Sequence, residues 1–108
     1  MKKSVDEIKK ILIENFKYLK EKYKIKKIGI FGSYIRREEN KKSDIDILIE
    51  LEDDSNITLF DIVRIERFLT ELIGIKVDLL TINGLSPYIK PYILKEVEFI
   101  EEGTKIIS

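Results

Sequence analysis

Two short apolar runs, Ile28-Gly29-Ile30-Phe31 and Ile45 to Ile49, are joined by a Gly32-Ser33 pair and a polar stretch that closes on Asp44-Ile45-Asp46. Runs of this length, rich in isoleucine and bounded by glycine, read as strands. The segments around them carry helical spacing, so the chain is confined to layouts in which helices cover a small sheet. Alternation along the second run places Asp44 and Asp46 on one face and Ile45, Ile47 and Ile49 on the other. One face is therefore suited to packing and the opposite face to chemistry.

The remaining elements follow from capping and periodicity. Ser4 and Glu7 fit a capping box, and Ile8, Ile11, Leu12, Phe16 and Leu19 recur at three- and four-residue intervals. That pattern predicts a first helix from about Ser4 to Lys22. The first strand ends at Phe31 and breaks at Gly32. The polar segment Tyr34 to Lys42 is expected to hold a short helix capped by Ser33, then an exposed loop near Asn40. Beyond the acidic stretch Glu52-Asp53-Asp54-Ser55-Asn56, Thr58 and Asp61 start another helix, whose apolar face is expected to be Leu59, Ile62, Val63, Ile65, Phe68, Leu69 and Leu72 and which Gly74 stops. Lys76 to Thr81 reads as a third strand before an Asn83-Gly84 turn, and Ser86-Pro87 as the start of a last helix with Pro91 as a candidate bend. Glu98 to Ile107 fits a short strand or a helix tail equally well. With no repeat and no linker, residues 1–108 are expected to form a single α/β (α+β) domain, a small mixed β-sheet flanked by helices.

Composition removes several kinds of chemistry. The chain has no cysteine and no histidine, so thiolate sites, imidazole bases and zinc clusters are absent and acid-base or metal chemistry falls to carboxylates. Twenty basic and twenty acidic residues cancel, which removes the usual electrostatic drive toward nucleic acid. No apolar stretch is long enough to span a membrane, and a soluble cytoplasmic protein is expected.

Asp44 and Asp46, side by side, suit Mg²⁺, a hard cation that combines a few carboxylates with waters and substrate phosphates. Two such ions would clamp the attacking and leaving oxygens of an in-line displacement, and the second normally needs another carboxylate. Asp78 is the candidate: it interrupts an apolar third strand, where an unpaired buried carboxylate is costly, and it could also help deprotonate an acceptor hydroxyl. Gly32 permits close backbone approach, and Ser33 adds a hydroxyl and an amide where a triphosphate could sit. Arg36 and Arg37, about one turn further on, could add positive charge toward the phosphates or face a partner.

These residues resemble the DNA polymerase beta-type nucleotidyltransferase superfamily, and within it the minimal nucleotidyltransferases that act as antitoxins in HEPN/MNT toxin-antitoxin pairs. The resemblance runs from the first strand through Asp78. It implies a nucleotidyltransferase fold, a phosphate-contacting Gly32-Ser33, a metal-binding pair Asp44 and Asp46, and Asp78 as third carboxylate. It also implies AMP transfer from ATP to a tyrosine of a cognate HEPN-type toxin. The family often carries Arg-Gly-Glu after the Gly-Ser helix, whereas this chain has Arg36-Arg37-Glu38. Alternatives are neutralisation of a partner by occlusion without chemistry, and transfer to a small hydroxylated molecule or an RNA end. A chain of 108 residues has little left for a private acceptor pocket, so a partner surface, or a second copy in a homo-oligomer, is the natural supplier of the missing wall.

Overall fold

In the computed structural model, whose described residues are 3–40 and 42–100, Ser4 and Thr58 open two helices by the same device. The Glu7 amide donates to Ser4 Oγ and the Ser4 amide to Glu7 Oε1, which caps helix α1, Val5–Tyr23. The same exchange between Thr58 and Asp61 caps α3, Leu59–Ile73. Each box satisfies amides that have no partner inside the helix. Between them lie strand β1, Ile25–Phe31, the four-residue helix α2, Ser33–Arg36, and strand β2, Ile45–Leu51. Strand β3, Val77–Thr81, a tight turn over Ile82–Gly84, helix α4, Lys90–Glu96, and the two-residue strand β4, Glu98–Phe99, complete the described chain.

The sheet is mixed, in the order β3-β2-β1-β4. β1 runs antiparallel to β2 and β4, while β3 runs parallel to β2. Register places Ile28 opposite Ile49 and Ile30 opposite Ile47, with Val77 and Leu79 beside Ile45 and Ile47. These side chains share one face and are buried against Ile8, Leu12, Phe16 and Leu19 of α1 and Ile65, Leu69 and Ile73 of α3. Each fully buried Ile or Leu contributes about 1.5–3 kcal/mol relative to exposure, and register is fixed because a one-residue slip would turn that face outward. The exposed edge of β3 is covered from α3: Thr70 Oγ1 accepts from the Val77 amide and Glu66 Oε2 from the Leu79 amide. An edge so occupied offers fewer free donors to another strand.

The helix and strand order expected from the sequence is observed, with local differences. Leu59, Val63 and Leu72, expected on the apolar face of α3, are exposed, and Ile73 is buried beside Ile65 and Leu69, because the helix turns that stripe toward the sheet. Gly32, not Ser33, is the N-cap of α2, because the turn out of β1 needs a backbone conformation at φ 81° that Gly32 supplies, and Ser33 becomes the first helical residue. The last helix starts at Lys90 rather than Ser86, since Ser86 to Ile89 form a turn and Pro91 falls at the helix start, where its missing amide costs no hydrogen bond. Only Glu98–Phe99 forms a strand after it, and residues 101–107 of the expected terminal element lie outside the described residues.

Arg37, which stands where the resembling family often has glycine, adopts the left-handed conformation, φ 60° and ψ 40°, and its amide caps α2 on the Ser33 carbonyl. A side chain at such a position is strained against its own carbonyl. Arg37→Gly is therefore expected to stabilise the fold by about 0.5–1 kcal/mol, read as a higher midpoint in urea denaturation. An unchanged or lower midpoint would contradict strain at this residue.

Candidate active site

The sheet face turned away from α1 and α3 carries Asp46 and Asp78. Parallel pairing of β2 and β3 sets the two residues in direct register, so their side chains leave the sheet on the same side. Asp44 lies just before β2, after a turn in which Asn40 Oδ1 accepts from the Lys42 amide and Ser43 Oγ from the Asn40 amide. Asp46 is partly buried, whereas Asp78 is exposed, so the expected penalty for burying Asp78 does not arise. The lysine in this region approaches Asp44 instead, with Lys76 Nζ 3.9 Å from its carboxylate. This pair is largely exposed and adds little stability.

Antiparallel pairing brings the end of β1 back onto the same place, with Phe31 opposite Asp46. Gly32 follows immediately, and a Cβ built on it would lie 2.1 Å from Asp46 Oδ2. Only a residue without a side chain lets the turn pass this carboxylate. The Gly32 amide donates to Glu96 Oε2 at 2.6 Å, and Arg36 Nη1 donates to Glu96 Oε1 at 2.9 Å. Arg36 Nε is shared with Glu38 at 3.0 Å. These groups line an open cleft of about 480 Å³ whose apolar wall includes Leu80, Ile93 and the largely exposed Tyr92.

The electrostatics of the cleft centre on one group. Burial, followed by the negative charges of Asp78 and Asp44, pushes the Asp46 carboxyl up to about 6, with Arg36 opposing and Glu96 adding to the rise. Burial also works against ionisation of Glu96, but the bonds from Arg36 and the Gly32 amide prevail and hold its carboxyl below the ordinary glutamate range. Tyr34, almost fully buried in α2, is raised by burial and by the charges of Glu39 and Asp44, so its hydroxyl stays protonated. Among the described residues no three carboxylates already converge as a metal cage.

Gly32, Arg36, Asp46 and Asp78 thus come together at one end of the sheet, with Asp44 close enough to act on Asp46 electrostatically. Ser33 is half-buried at the start of α2. Glu96 was not foreseen. It lies 64 residues from Gly32 in the chain, at the end of a helix whose sequence gives no sign of which face meets the cleft.

This mixed sheet flanked by helices, with carboxylates beside a Gly-Ser turn, is consistent with a nucleotidyltransferase fold. Residues 6–100 match the family model described as a nucleotidyltransferase domain, and the chain belongs to that family. It is 48% identical over 99 residues to MJ1217 of Methanocaldococcus jannaschii, provisionally named a protein adenylyltransferase, covering 91% of this chain and 99% of the relative. It is 35% identical over 97 residues to the protein adenylyltransferase MntA of Thermococcus cleftensis, covering 90% and 96%. Among solved structures, a minimal nucleotidyltransferase superposes with a TM-score of 0.72 at 27% identity, covering 89% of this chain and 95% of that one. A toxin-antitoxin structure with AMP-PNP gives 0.68 at 20% identity over 83% and 73%, which shows the shared fold. The chain is an enzyme of nucleotidyl transfer. No helix of the described residues is long and apolar enough to cross a membrane.

Two outcomes follow from the geometry. Gly32→Ala places a methyl group against Asp46 in a backbone conformation that alanine resists, and is expected to destabilise the chain by about 2 kcal/mol or more, read by urea denaturation. Asp46 in the folded metal-free chain binds its proton more tightly than the ordinary aspartate value of 3.8. Its contribution is therefore fully present below pH 4 and lost as pH rises through about 6. Asp46→Asn is expected to be more stable than the wild type by about 1–2 kcal/mol at pH 7.5, after allowance for solvent screening, with the gain vanishing near pH 4. Equal stability of the two at pH 7.5 in chelator would show that Asp46 is not destabilised by its surroundings.

Proposed function

We propose that this chain transfers AMP from ATP to a tyrosine hydroxyl of a HEPN-type toxin and so acts as its antitoxin. The observation that carries the reading is the juxtaposition, in one cleft, of anion donors at Gly32 and Arg36 with the carboxylate of Asp46, whose neighbour in register is Asp78. Close similarity to chains named as protein adenylyltransferases supports a protein acceptor. The openness of the cleft toward solvent, beside the exposed Ile89 and Tyr92, agrees with an acceptor presented by another surface.

In this reading Gly32, Ser33 and Arg36 take the triphosphate, and Asp44, Asp46 and Asp78 hold Mg²⁺, as one ion or two. All three donors are hard oxygens, and Asp46 is destabilised by burial and then by the negative charges of Asp78 and Asp44, so the donor set fits a hard cation that draws its other ligands from water and phosphate. Bound magnesium would screen the phosphates and polarise the reacting phosphoryl group. The tyrosine oxygen attacks the α-phosphorus, the bond to the bridging oxygen breaks and pyrophosphate leaves with its electron pair. In this reading Asp78, exposed beside Asp46 in register, would receive the phenolic proton.

Labelled ATP, Mg²⁺ and the toxin encoded beside this chain are expected to give label on a toxin tyrosine. Asp46→Asn should reduce that transfer by about 100-fold or more while the chain stays folded. An unlabelled toxin with a folded wild-type chain would overturn the proposal, and full transfer by Asp46→Asn would remove the metal assignment. If the Asp44/Asp46 double asparagine variant neutralises the toxin as well as wild type, occlusion rather than chemistry accounts for the antitoxin effect.

A further inference from the structure

Glu96 holds two of the donors that the proposed function gives to nucleotide phosphate. One carboxylate oxygen accepts from the Gly32 amide and the other from Arg36, so the group engages them in the forked manner of a phosphate. Its side chain is only 23% exposed, and the same cleft contains Asp46. No side chain of α4 is fully buried, and Glu96, its last residue, directly precedes the stretch that pairs as β4 with β1. Rotation of the Glu96 side chain alone would break both bonds without moving that anchored helix end or the core.

We propose that Glu96 is an internal surrogate for a nucleotide phosphate, which keeps the Gly32 amide and Arg36 satisfied in the free chain and is displaced when a triphosphate binds. This inference rests on the nucleotide reading of the cleft. It makes Glu96 a determinant of nucleotide affinity, because each binding event must break the two bonds it makes.

A different role is available to the same residue. If Glu96 served to aim Arg36 at the phosphates and stayed bonded in the complex, its removal would weaken nucleotide binding. The two roles predict opposite signs, which makes the choice measurable.

The test is calorimetric titration of the full chain with AMP-PNP and Mg²⁺, for wild type, Glu96→Gln and Glu96→Ala, with thermal denaturation to confirm folding. Displacement predicts that both variants bind about 5- to 20-fold tighter, the order expected for releasing a charged hydrogen-bonded competitor. In transfer assays the KM for ATP should fall with kcat nearly unchanged. Loss of negative charge alone could tighten binding, so the wild type supplies the second readout: the Gly32 amide proton resonance, shifted by its short bond to Glu96, should move on saturation with nucleotide. A Gly32 resonance that does not move, or affinities unchanged or weaker in the variants, would overturn the inference while leaving the nucleotide reading intact. A folded wild-type chain that binds no AMP-PNP would overturn both. Should the variants fail to fold, the wild-type Glu96 carboxyl resonance decides: loss of its bonds to the Gly32 amide and Arg36 on saturation supports displacement, and their retention overturns it.

Discussion

The antiparallel register that sets Phe31 opposite Asp46 governs the rest of the site. It returns the Gly32 turn to within contact of the Asp46 carboxylate, so the Gly32 amide, the Arg36 guanidinium and this carboxylate share one small volume. The parallel addition of β3 then brings Asp78 beside Asp46. None of these positions can move independently, because the opposite face of the same strands is locked into the core by Ile28, Ile30, Ile45, Ile47 and Ile49. Shifting one pairing by a single residue would bury the carboxylate and expose an isoleucine.

That coupling concentrates unfavourable electrostatics at a place where the fold is strong enough to hold them. Asp46 is destabilised by burial and by the charges around it, and Gly32 is forced into a conformation at positive φ. Sites that bind cations and phosphates commonly carry such strain, since the ligand supplies the missing countercharge or donor partner. Here the positive and negative ligands of the proposed reaction relieve opposite halves of the imbalance. The cation would answer the aspartates, and the triphosphate would take the donors at Gly32 and Arg36.

Helix α4 is the element whose role in the cleft is least tied to the core. The exposed Tyr92 and the terminal Glu96 of α4, with Ile89 just before the helix, place an apolar wall and an acidic group beside Asp46 without burying any α4 side chain fully. Its C-terminal end runs directly into β4 on β1, so adjustment to a nucleotide or an acceptor falls to these side chains rather than to the helix as a whole.

Periodicity and capping made most of the layout legible in advance. The Ser4-Glu7 and Thr58-Asp61 boxes marked two helix starts, and alternation in Ile45 to Ile49 showed which face would be packed and which would carry Asp46. The Gly-Ser and Asp-x-Asp spacing pointed to phosphate and metal chemistry because those residue types have few other reasons to meet at the ends of adjacent strands. What the chain alone did not determine is long-range. Whether Asp78 stood beside Asp46 depended on β3 joining β2 and not β1, a choice set by how α3 packs. The exposure of Asp78, the left-handed backbone at Arg37 and the seat of Glu96 on Gly32 and Arg36 likewise follow from tertiary contacts. Local sequence fixes which way a side chain leaves its own strand or helix, but only packing fixes what it meets there.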